Sequence, residues 1–146
     1  MKKLPSVNDI IITELSRIPV LGGDVQHALK NTDLGFQGFG EVYFSRVNFK
    51  KIKAWKMHKE MTLNLVVPVG KVRFVFFSRS LSGPFRTETI GEDSYSRLTV
   101  PPCLWFGFIG LGQTDSLVVN IANIPHDPEE SVSKDIDKIP FNWSLE

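Results

Sequence analysis

The sequence predicts an all-β domain, a sandwich or a barrel, and three observations carry that expectation. Short runs rich in Val, Ile, Leu and Phe follow one another from residue 40 onward. Turn-forming residues separate them at close intervals, at Gly70, Gly91 and the Pro101-Pro102 pair among others. Helical periodicity is weak throughout. Short strands bounded by such punctuation are the pattern of antiparallel architectures with a single buried core.

The elements follow in order. "DVQHALKNTD" (24–33) is read as a short helix or turn. "EVYFSRVNF" (41–49) sets Val42, Phe44 and Val47 among polar neighbours, and a strand pattern opens at Ile52. "MTLNLVVPV" (61–69) alternates, with Met61, Leu63, Leu65 and Val67 on one face and Thr62 and Asn64 on the other. "KVRFVFFS" (71–78), "SRLTVP" (96–101), "LWFGFIG" (104–110) and "SLVVNIANI" (116–124) complete the series. Two prolines in a row offer no N–H to a ladder, so Pro101 and Pro102 belong at a strand end. Residues 125–146 are polar and proline-bearing and are expected to wrap the surface, anchored by Ile136, Ile139, Phe141 and Trp143. A single domain over 1–146 is the expectation.

Composition narrows the function. Hydrophobic residues make up 42% of the 146, enough for an ordinary core. Seventeen basic residues face sixteen acidic ones, a net charge of +1, which argues against nucleic acid as a partner. The local cluster Lys50, Lys51, Lys53, Lys56 and Lys59 is either a solvated strand end or an anion-binding rim. One cysteine, Cys103, excludes an internal disulfide framework. Asn8, Asp9 and Glu14 interrupt the apolar run behind the basic start, and no stretch approaches the roughly 20 apolar residues of a bilayer span. No membrane association and a cytoplasmic location are expected.

Four ordered motifs go further: "FGEVYFS" (39–45), "IKAWKMHKEMTLNLVVPVGKV" (52–72), "LTVPPCLWFGF" (98–108) and "NIANIPHDPEE" (120–130). Together they resemble the dTDP-4-dehydrorhamnose 3,5-epimerase family of cupins, nearest its short members among surface-sugar biosynthesis proteins. The resemblance spans about Gly22 to Trp143. It implies a double-stranded β-helix, the jelly-roll barrel of the cupins, a homodimer, and a ligand in the barrel mouth.

The resemblance also implies a reaction. Such enzymes remove a proton beside a sugar ketone, stabilise the enolate, and return a proton on the other face. The family's base histidine falls on Lys56, a lysine of the next strand near Leu63, and the acid tyrosine near Asn120. The related sugar-nucleotide 3,4-ketoisomerases carry two histidines one residue apart, and here that pair reads Lys56-Met57-His58. His58 is then the candidate base, since an imidazole titrates near neutral pH. Lys56, on the same strand face, is placed to assist or to stabilise an enolate. Lys53 and Arg73 are the candidate cations for a diphosphate, Trp105 for stacking on a base or sugar ring, and Asn120 for a substrate contact. Alternation puts Trp105 and Gly107 on one face and Phe106 and Phe108 on the other, one set core and the other a pocket floor.

The positions of a cupin metal site fall on Lys56, His58, Leu63 and Phe106, of which only His58 ligates, so no metal and no cofactor are expected. The expected function is an isomerase or epimerase acting on a nucleotide-linked 4-keto-6-deoxy sugar in surface polysaccharide biosynthesis. The alternative is a degenerate cupin that binds such a sugar without turnover.

Overall fold

The computed structural model describes residues 3–144. Two five-stranded antiparallel sheets face each other, as the jelly-roll expectation requires. The first runs β1 (Ile11–Glu14), β9 (Ser96–Val100), β6 (Leu63–Val69), β11 (Ser116–Ala122) and β4 (Glu41–Val47). The second runs β12 (Ser131–Ser133), β5 (Ile52–His58), β10 (Leu104–Gly110), β7 (Lys71–Ser78) and β8 (Arg86–Gly91). A separate hairpin joins β2 (Arg17–Val20) to β3 (Gly23–Gln26). Part of the span expected as a helix or turn is therefore strand: an isolated hairpin offers no helix-length apolar stripe to bury.

Alternation explains most of the core. Leu63, Leu65 and Val67 of β6 meet Val72, Phe74 and Phe76 of β7 between the sheets. The run "VRFVFF" is apolar on both sides because β7 is buried on both. Its other face sends Val75 and Phe77 into a second cluster with Trp55, Met57, Trp105 and Ile139. At Pro68 the β6–β11 ladder gains an extra residue, the place where a missing N–H does least harm. Between β6 and β7, Gly70 takes φ +88, and a Cβ there would stand 2.2 Å from Ser116 Oγ.

The C-terminal segment, expected as a surface-wrapping tail, also contributes a strand. Ser131–Ser133 adds a strand to the edge of β5, pairing Ser131 with His58 and Ser133 with Lys56. Ile139 is 1% exposed beneath it, with Phe141 and Trp143 packed alongside, whereas Ile136 remains 45% exposed. Among the described residues no helix is long and apolar enough to cross a membrane.

Candidate active site

A cavity of about 620 Å³ opens between the sheets, in the range of small-molecule sites. The first sheet lines it with Tyr43, Ser45, Leu63, Leu65, Val118 and Asn120. The second contributes Lys53, Lys56, His58, Phe106 and Phe108, and the C-terminal segment adds Ser133 to Ile136. The wall is thus mixed, with apolar side chains set among convergent polar groups.

A bulge decides which lysines reach it. Along β5 and β10, Phe106 faces Lys56, yet the next residue, Gly107, faces Ala54, so Trp55 is the extra residue. Directly paired residues share a face. Lys53 opposite Phe108 and Lys56 opposite Phe106 therefore both point inward, although strict alternation would oppose them. Lys53 Nζ donates to the Arg46 carbonyl at 3.4 Å and lies 5.9 Å from the Phe108 ring centre. Lys56 makes no ion pair among the described residues.

His58 ends β5 on the same face. Its ring is 5% exposed and lies nearly parallel to that of Phe106, 6.0 Å away. Its Nδ1 is 2.6 Å from Glu130 Oε1, while Glu130 Oε2 accepts from the amides of Glu60 and Met61 at 3.0 and 2.9 Å. Burial alone would raise the Glu130 carboxyl. The hydrogen bonds from His58 and the two amides outweigh it and hold the group below the ordinary carboxylate range. Glu130 is thus an ionised acceptor, so His58 Nδ1 carries a hydrogen directed at it. Cys103, in the left-handed region at φ 71, donates its amide to the His58 carbonyl at 2.7 Å and pins the strand end.

On the other sheet, Tyr43 of β4 pairs directly with Asn120 of β11. Asn120 Nδ2 donates to the Tyr43 hydroxyl at 2.9 Å. Burial raises the Tyr43 phenol above its ordinary value. Asn120 opposes the rise, and Glu41 and Glu130 add to it. A neutral phenol on one wall therefore faces a carboxylate-backed imidazole on the other, an arrangement suited to moving protons on both sides of a bound molecule.

The residues singled out from the sequence divide cleanly. His58, Lys56, Lys53 and Asn120 line one cavity. Trp105 does not: it is buried in the outer cluster beneath the C-terminal segment, with Lys134 Nζ 5.3 Å over its ring. Arg73 does not either, because on β7 it shares the outward face of Val75 and Phe77 while Phe74 and Phe76 point in. Of the aromatic sets, Phe106 and Phe108 form the pocket wall. Asn120 is 3% exposed, with Oδ1 accepting from the Asn64 amide and Nδ2 donating to the Tyr43 hydroxyl. Two residues were not singled out, Glu130 and Tyr43. "PHDPEE" held only a string of acids, and the phenylalanine beside Tyr43 offered an equally good strand residue. Among the described residues no three His, Cys, Asp or Glu side chains gather as metal ligands would.

No family model matches the chain. Its structure superposes on a dTDP sugar isomerase of Desulfovibrio desulfuricans G20 with a TM-score of 0.88 and 39% sequence identity, over 98% of this chain and 95% of that one. A probable low-salt glycan biosynthesis epimerase of Haloferax volcanii is 27% identical over 145 residues, 95% of this chain and 91% of that protein. The sugar 3,4-ketoisomerase QdtA of Thermoanaerobacterium thermosaccharolyticum, solved with TDP, shares the fold at a TM-score of 0.73 and 16% identity, over 91% of this chain and 96% of that one.

Proposed function

The chain belongs to the dTDP-sugar isomerase family, and from that membership we propose that it moves a proton beside the ketone of a dTDP-linked 4-keto-6-deoxy sugar during assembly of a surface glycan. His58 Nε2 removes the proton from the carbon next to the carbonyl, and Glu130 stabilises the imidazolium that forms. Lys56, at the cavity wall, stabilises the enolate oxygen, and Lys53 takes the diphosphate. Phe106 and Phe108 supply an apolar surface for the sugar's methyl group. Tyr43 returns a proton to carbon from the opposite wall, which inverts the centre. Solvent then reprotonates the phenolate and takes the proton from His58, so the site ends as it began.

The observation that carries this reading is the buried His58–Glu130 contact of 2.6 Å in a cavity whose other wall presents Tyr43. The test is incubation with dTDP-4-keto-6-deoxyglucose in deuterium oxide, followed by NMR. Deuterium should enter at C3 or C5, and His58→Ala should abolish the exchange. Tight binding of the nucleotide sugar with no exchange would replace the isomerase by a binding protein.

We also propose a homodimer. Val42 and Phe44, on the outward face of edge strand β4, are 42% and 64% exposed, and Phe39 just before the strand is 65% exposed. An apolar edge of this kind is a place for a second chain.

A further inference from the structure

We propose that Asn120 is a positioning residue that fixes the direction of the Tyr43 hydroxyl, turning its proton away from the sheet and into the cavity. Its part in turnover rests on the reaction proposed above; the direction itself rests only on the hydrogen-bond network.

The network has a definite polarity. Asn120 Oδ1 accepts from the backbone amide of Asn64 at 3.2 Å. An amide N–H only donates, so Asn120 cannot turn over without setting its own NH2 against it. Asn64 is itself held: its Nδ2 donates to the Gly35 carbonyl at 3.1 Å, and its Oδ1 accepts from Thr99 Oγ1 at 2.6 Å. With Oδ1 occupied, Asn120 presents only N–H to Tyr43, and the phenol oxygen must accept. The Tyr43 proton therefore cannot point at Asn120. Among the described residues the other acceptor within reach is Met61 Sδ at 4.0 Å, a weak one at the limit of contact. Asn120 Nδ2 also approaches that sulfur, at 3.7 Å.

Two consequences follow for a proton donor. The O–H, held only by the weak contact to Met61 Sδ, is available to whatever occupies the cavity. When that proton leaves, the N–H already in place becomes a charge-assisted donor to the phenolate, so no group has to move. The residue thus acts through Tyr43.

The sequence contains two tyrosines, so Tyr95→Phe leaves Tyr43 as the only one and its ionisation can be followed by ultraviolet absorbance. In that background, Asn120→Asp replaces the donor by an acceptor of the same shape, and Asn120→Leu removes it without adding charge. Each should weaken the acidity of Tyr43 by about tenfold or more, the size of one hydrogen bond to a charged group. With substrate in deuterium oxide, wash-out of the substrate proton, which does not need Tyr43, should stay within about threefold while product formation falls at least about tenfold. An unchanged Tyr43 titration in both variants would overturn the assignment, as would equal loss of wash-out and product. If Asn120→Asp does not fold, Asn120→Leu decides. If the unaltered chain shows no exchange, the functional reading fails while the titration still judges Asn120.

Discussion

Glu130 meets His58 at 2.6 Å although 72 residues separate them, and it does so because β12 adds to the edge of β5 immediately after it. The pairing Ser131↔His58 leaves the preceding residue beside the imidazole. Packing of Ile139 and its aromatic neighbours holds that segment down, so the core outside the second sheet fixes the tautomer inside the cavity.

Glu130→Gln keeps the side-chain shape and removes the charge. It should cut deuterium exchange by about 10²–10⁴-fold, since the neutral amide no longer stabilises an imidazolium or selects the tautomer. Nucleotide-sugar affinity, measured by calorimetry, should change little. Unaltered exchange would remove Glu130 from the reaction.

The same carboxylate links stability to pH. Its folded pKa lies below the ordinary 4.5, so the unfolded chain takes up the proton first as pH falls. The stabilisation is complete above that ordinary value and is lost as pH drops through the folded one. Urea midpoints measured between about pH 7 and about pH 3 should fall more steeply for the unaltered chain than for Glu130→Gln. Parallel curves would contradict the stabilised carboxylate at Glu130.

The two inward lysines should separate kinetically. Lys56→Met should lower kcat by about 10²–10³-fold, as loss of a group that stabilises developing negative charge does. Lys53→Met should instead raise KM by roughly tenfold, with weaker dependence of binding on salt. The reverse pattern would exchange their roles.

Gly107 is the residue that admits the β5 bulge. A Cβ there would lie 2.6 Å from Ala54 Cβ and 3.2 Å from Trp55 Cε3. Gly107→Ala should therefore destabilise by about 1–3 kcal/mol, as overpacking does. Because the bulge also sets the directions of Lys53 and Lys56, substrate affinity should drop with it. Thermal unfolding and calorimetry report the two effects separately, and an unchanged midpoint would show that the strands tolerate the methyl group.

Much of the fold was legible because alternation reports burial directly. Leu63, Leu65 and Val67 announced the core face of β6, and Pro101-Pro102 announced a strand end. The exposed hairpin β2–β3 was not legible, since it buries almost nothing and leaves no pattern. In the site, Lys56 and His58 share a face as spacing alone required. Lys53 joins them only through an extra residue that no periodicity displays. Arg73 and Trp105 show the converse: both lie on strands buried on two sides, where composition does not say which side holds the cavity. Asn120 and Tyr43 pair across strands, and Glu130 arrives from a distant segment, both matters of tertiary register.

The dimer proposal has its own test at Phe44. Its ring stands 64% exposed on edge strand β4, beside Val42 on the same face, while Tyr43 between them points into the cavity. A charge at position 44 would sit in the middle of any apolar contact made by that face, where an unpaired carboxylate is costly, and would be free in a monomer. Phe44→Glu should therefore convert a dimer to a monomer in sedimentation analysis while leaving the circular dichroism of the strands intact. Since Tyr43 is the adjacent residue, turnover should fall with dissociation and recover in part at high protein concentration. A variant that sediments like the unaltered chain would place the interface elsewhere, and a monomeric unaltered chain would remove it.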